Sequence, residues 1–255
     1  AKDYSTHFKK FFDLIEYLEK NLRGAVNGTV VFSNPVSDFL DKNRIQLKSL
    51  FVSDDYSLEI PEGEKGFLDF LADIEEDTSQ MNDEITAISA GMETMSSGIN
   101  ECTEEINRVQ KSGGNGTAAF VRKQSKKAAS YISEFSKQLK QHTESIQSLW
   151  AKIEKNTLGL LENEYATKPE NKESLTDYIK ALHKMMLSIK EANQSVTVMK
   201  ETSLNNLGIE RSMNQSIRFL DQDLSEYLDM TEQMVKSIER IIGKSRFIIG
   251  DVPLE

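Results

Sequence analysis

The sequence predicts a mainly α protein, an elongated antiparallel helical bundle of coiled-coil hairpins with a small N-terminal α+β patch. Three observations predict it. Apolar residues recur at alternating steps of four and three along most of the 255-residue chain, a period that keeps one stripe of a helix turned toward a partner. A dense glycine cluster separates the two longest repeats, as the turn of a hairpin would. The composition, with 38% hydrophobic residues, 28% charged residues and only 4 prolines, falls short of the interior of a two-sided α/β core.

The first 62 residues differ in kind from the rest. His7 to Arg23 carries Phe8, Phe11, Phe12, Leu14, Ile15, Tyr17, Leu18 and Leu22, the apolar stripe of a short amphipathic helix. After the breakers Gly24 and Gly28, Thr29 to Phe32 is β-prone and Asn34-Pro35 reads as a helix cap followed by Pro at the first helical position. Ser49 to Ile60 reads as two short strands about Asp54-Asp55.

The bundle is expected over 63–245. Its first helix, about 65–110, sets Phe67, Leu71, Ile74, Thr78, Met81, Ile85, Ile88, Met92, Met95, Ile99, Cys102, Ile106 and Val109 in one register. Only Thr78 among them is polar, and about six unbroken heptads make a rod of roughly 65 Å that needs a partner along its length. The run Ser112-Gly113-Gly114-Asn115-Gly116 then turns the chain, and Thr117 caps a second helix, about 117–162. A phosphate-binding loop would need a strand before this run and a Lys-Ser/Thr pair at its end, so it is read as a turn.

The second register, Val121, Ser125, Ala128, Ile132, Phe135, Leu139, His142, Ile146, Leu149, Ile153, Asn156 and Leu160, is weaker but in phase. A third helix, about 174–203, begins at Ser174 with Asp177 at capping-box spacing. Its seam is Leu175, Tyr178, Leu182, Met185, Ile189, Ala192, Val196 and Met199. Ser203 to Glu210 breaks phase, as a tight turn or as a stutter in one continuous helix, and a fourth helix, about 209–243, carries Met213, Ile217, Leu220, Leu224, Tyr227, Thr231, Met234, Ile238 and Ile241. The tail, 246–255, offers one further short strand at Phe247-Ile248-Ile249. Ala1 without a preceding Met, and Leu254-Glu255 after Pro253, read as cloning edges, so signals or membrane spans beyond them stay open. The heptads resemble coiled-coil proteins in general, a pattern shared by many unrelated families.

Charge is distributed unevenly. Phe67 to Val109 holds 11 acidic residues and the single base Arg108, whereas Thr117 to Lys155 holds 8 basic and 3 acidic. Opposite charges beside a seam select partner and orientation. In an antiparallel hairpin about the glycine turn, facing residue numbers add to about 226, which sets Arg122, Lys123, Lys126 and Lys127 against Glu101, Glu104 and Glu105. It also leaves Asp69, Asp73, Glu76, Asp77, Asp83 and Glu84 with little beyond Lys152 and Lys155 opposite them. These six form either a solvated face or the candidate partner surface, facing a basic protein. The same rule places His142 beside Asp83 and Glu84, where it is either a partly buried core histidine or hydrogen-bonded to one of these carboxylates, and the imidazole is a candidate polar seam switch.

Catalytic and metal chemistry find no pattern to stand on. The residues three before His7, His142 and His183 are Tyr4, Leu139 and Lys180, so the Glu-x-x-His pairs of a di-metal bundle are missing. One cysteine forms no internal bridge, and Cys102 sits on a seam where a thiol packs as a small hydrophobe. No Gly-x-Ser-x-Gly elbow occurs. The expectation is a non-enzyme without cofactors or metals. A net charge of -10 disfavours nucleic acid, and the apolar stretches are too short for direct membrane insertion.

The leading functional expectation is a non-catalytic helical-bundle or coiled-coil protein–protein interaction or scaffold module, acting as a homo-oligomer, with a dimer expected because unequal helices leave one hairpin end uncovered. The alternative is a ligand-sensing extracytoplasmic domain of a membrane receptor, and a third is a helical pore-forming toxin component. The compartment stays open, with the cytoplasm slightly favoured for a chain that is soluble as given.

Overall fold

The computed structural model describes residues 38–42, 62–112, 118–203 and 211–254. Helix accounts for 93% of them, and they include no strand. In chain order they form a helical segment at 38–42 (α1), then α2 (Glu62–Lys111), α3 (Ala118–Glu162), a 3-10 turn at Pro169–Asn171, α4 (Lys172–Ser203) and α5 (Arg211–Ile249). The expected helix over His7–Arg23, the Asn34-Pro35 cap, the strands between 29 and 60, the glycine turn with Thr117 and the phase break at 204–210 lie outside the described residues.

The seams explain why these segments are helical. Every position of the first register from Phe67 to Ile106 is buried, Thr78 included, and so are all nine positions of the fourth, from Met213 to Ile241. In α3 the register is buried from Ser125 to Leu160 except at half-buried His142 and Asn156. In α4 it is buried from Leu175 to Ile189. A stripe at this spacing removes apolar surface from water only if the backbone is helical, and burial of a Leu, Ile or Met contributes about 1.5–3 kcal/mol each.

Two expectations about helix ends are corrected. Phe247-Ile248-Ile249 forms no strand; α5 runs through it because Ser245 and Ile249 continue the buried stripe of Ile241 and Ile242. The helix stops at Gly250, whose φ of 79° closes a terminal turn through its N–H to the Arg246 carbonyl at 3.1 Å. Ser174 caps nothing either, since α4 begins at Lys172. The entry is built upstream by Asn163, whose side-chain oxygen accepts the N–H groups of Tyr165 at 2.9 Å and Ala166 at 3.2 Å. The following 3-10 turn runs straight into the helix, with Pro at its start and buried Asn171 donating to the Tyr165 carbonyl at 2.8 Å.

The chain packs as two compact units, each taking a segment of α2, α3, α4 and α5. The first unit holds the described residues of 84–144 and 191–231. In it α2 and α3 run antiparallel: Lys127 meets Glu101 at 3.6 Å, Tyr131 lies over Gly98, and Phe135 over Gly91. α3 also meets α5, with the Ser133 and Ser216 hydroxyls 2.8 Å apart and Ser136 donating to Asp223. α4 joins α5 where Thr231 donates to Asn193 at 2.9 Å.

The second unit holds the described residues of 38–83, 145–190 and 232–254. Phe70 packs over Gly159, and Asn163 donates to the Gly63 carbonyl at 3.1 Å, again an antiparallel α2–α3 pairing. Trp150 of α3 donates to Ser237 of α5 at 3.1 Å, and Ser237 donates to Glu154. Thr157 of α3 shares a hydrogen bond with the buried Tyr178 hydroxyl of α4. Burial raises the Tyr178 phenol well above its ordinary range, so it stays neutral and able to donate. Phe39 of α1 docks edge-on against Phe67, ring centroids 5.5 Å apart.

Candidate functional site

The six acidic candidates divide between the units. Asp69, Asp73, Glu76 and Asp77 lie on α2 of the second unit at steps of four, three and one, with Asp83 at its edge. Asp69, Asp73, Glu76 and Asp83 are exposed, and Asp77 is half-buried. Loss of hydration raises the Asp77 carboxyl above the ordinary carboxylate range. Lys152 opposes that shift, and Asp73 and Glu76 add to it. Like charges are thus crowded along one stretch of helix, and the single base acting on Asp77 is the lysine that the hairpin register placed there.

Glu84 behaves differently. It opens the first unit and turns to α3, where its carboxylate accepts a hydrogen bond from His142 Nδ1. His142 is therefore hydrogen-bonded to one of the two carboxylates, Glu84. Both side chains are about a quarter exposed, at 24% and 29%. A carboxylate can only accept, so this contact puts the imidazole proton on Nδ1.

Other polar groups lie buried along the helices. Thr143, beside His142, is buried with its hydroxyl unpartnered among the described residues, as is the Asn82 side-chain oxygen. Thr231 and Asn193 bond to each other in the same unit. Polar side chains of this kind fix which turn of one helix meets which turn of the next.

Sequence reading missed two features. Glycines inside α2 and α3 sit under aromatic rings of the facing helix: a methyl group at Gly98 would stand 2.6 Å from Tyr131 ring atoms, and one at Gly159 would stand 2.8 Å from Phe70. The signal was a Gly in a helical repeat with an aromatic at the facing number. The α3–α5 contacts through Ser133, Ser136, Trp150 and Glu154 were also missed, because heptads mark a seam without saying which non-sequential helix it meets.

Cys102 is fully buried, and loss of hydration raises its thiol further from the reactive thiolate. Among the described residues no group of three metal-ligating side chains converges, and no helix is long and apolar enough to cross a membrane. Comparison with protein-family models, with curated proteins and with solved structures gives no match to this chain.

Proposed function

We propose that this chain is a non-catalytic interaction or scaffold module: an elongated antiparallel helical bundle whose acidic α2 face, Asp69, Asp73, Glu76, Asp77 and Asp83 with Glu84 beside it, receives a basic protein surface. The observation that carries this reading is the exposure of Asp69, Asp73, Glu76 and Asp83 along one stretch of α2, where Asp73 and Glu76 also add to the rise of the Asp77 carboxyl. A partner's lysines or arginines would relieve that repulsion and gain ion pairs at the same step, an electrostatic fit that favours association rate and selectivity.

The buried seams support the scaffold half of the reading, since four helices are held in register by side chains that do no other visible work. His142 with Glu84 serves as the polar register point of the α2–α3 seam. The module works as a homodimer, a form in which a second chain covers helix faces left open by unequal helix lengths.

Capture of partners on immobilised full-length chain tests the surface. The wild type should retain basic proteins that a triple variant, Asp69→Asn, Asp73→Asn and Glu76→Gln, releases, and added salt should release them from the wild type. Retention by the variant at wild-type level would overturn the assignment. Size exclusion with mass detection and solution scattering should give an elongated dimer; a compact monomer would overturn the oligomeric reading.

A further inference from the structure

The second unit contains a cleft between α1 and the first three turns of α4, about 350 Å³ in volume. Behind it Phe39, 1% exposed and braced edge-on by Phe67, and Ala181, 3% exposed, are closed off from solvent as part of the core. Its walls carry charges of both signs. Asp177, Lys180 and Lys184 follow one another along a single stripe of α4, and Asp38 and Lys42 lie one turn apart on α1.

These charges face one cleft without neutralising each other. None of the five closes an ion pair with another described residue, although Asp177 and Lys180 have the spacing at which helix neighbours pair. Lys42 is instead held by neutral acceptors, the Glu170 carbonyl at 3.0 Å and the Ser174 hydroxyl at 3.5 Å. A purely anionic guest would meet Asp38 and Asp177 as well as the lysines, and a cationic guest would meet the reverse. Both signs are served by a guest that carries both.

We propose that this cleft binds a small zwitterion, of the size and chemistry of a free α-amino acid. Its carboxylate pairs with Lys42 and Lys180, and its ammonium with Asp177. The volume suits this size class, because small-ligand pockets begin at about 300 Å³ and hold one compact guest at that limit. The site is independent of the acidic α2 face and of any partner there.

The test is titration of the full-length chain with L-leucine and L-phenylalanine, and in parallel with isovalerate, isopentylamine and inorganic phosphate, by calorimetry and amide chemical shifts. The amino acids should bind and shift amides of α4 between Ser174 and Lys184. Removing either charged group from the guest should weaken binding by about tenfold or more, as loss of a charge-assisted hydrogen bond does. Lys180→Gln and Asp177→Asn should each weaken it about as much, with helical ellipticity unchanged because Asp177 is exposed and the half-buried Lys180 is replaced by a polar side chain of similar length. Lys155→Gln, away from the cleft, should leave binding as it is. Equal binding of isovalerate and leucine, phosphate that competes with leucine, or no binding of any amino acid at millimolar concentration would overturn the proposal.

Discussion

Individual side chains hold the helices in register through polar contacts that a hydrophobic pattern does not announce. Ser237 is the plainest case, since it accepts from Trp150 Nε1 at 3.1 Å and donates to Glu154, linking two α3 side chains to α5. Ser237→Ala strands a buried indole N–H and, among the described residues, leaves the half-buried Glu154 carboxylate with Arg240 alone, 4.0 Å away. We expect a loss of about 1–3 kcal/mol in denaturant unfolding followed by ellipticity, well beyond the cost of a surface Ser→Ala change. Asp77 carries the opposite strain. Its folded-state pKa lies above the unfolded one, so between the two values the folded chain binds more protons and stability falls as pH rises; above both, the full penalty persists. Asp77→Asn should therefore raise the melting temperature at neutral pH, and the gain should vanish below about pH 3, where the carboxyl is protonated in both states. A gain that survives in acid would mean that the charge is not its source.

Helices pack closely only where their side chains leave room, and α2 and α3 use glycine for that purpose. Gly98 lies against Tyr131 closely enough that even the ring carbon nearest the backbone, Cγ, would be 2.6 Å from an added methyl group. Gly98→Ala should be destabilising: the overpacking cost of about 1–3 kcal/mol exceeds the gain in helix propensity of about 1 kcal/mol. Gly243→Ala, in α5 with nothing within 4 Å of the added carbon, should instead stabilise the chain by up to about 1 kcal/mol. Thermal melts of the two variants test both signs. Most of the helix content was legible in advance, because the heptads record burial position by position, and the antiparallel numbering held to within one turn at Glu84 with His142, Lys127 with Glu101 and Phe70 with Gly159. The C-terminal strand reading failed at Phe247, Ile248 and Ile249 for a physical reason. A short run of β-branched and aromatic residues carries no period of its own, and only the continuation of the buried stripe at Ser245 and Ile249 reveals a helix.

At the scale of the whole chain, function was less legible than fold, since a seam states that a helix has a partner and a charged face states only the sign of what it prefers. The His142 contact with Glu84 could be read from the hairpin numbering because both residues lie on sequence-adjacent helices. The cleft between α1 and α4 could not, because it joins residues more than a hundred positions apart through two side chains, Phe39 and Lys42, that lie outside every heptad. Its charged wall on α4 was instead mistaken in part for a helix cap.

The tryptophan of this chain has one more consequence. Trp150 is the only one in the sequence, it is buried, and it belongs to the second unit. Its emission therefore reports one unit, whereas far-ultraviolet ellipticity reports helix in both. If the helices shared by the two units couple them fully, the two signals should trace the same melting curve. If the two units open in turn, the curves should separate, and the gap between their midpoints would measure how far disorder in one half is felt in the other.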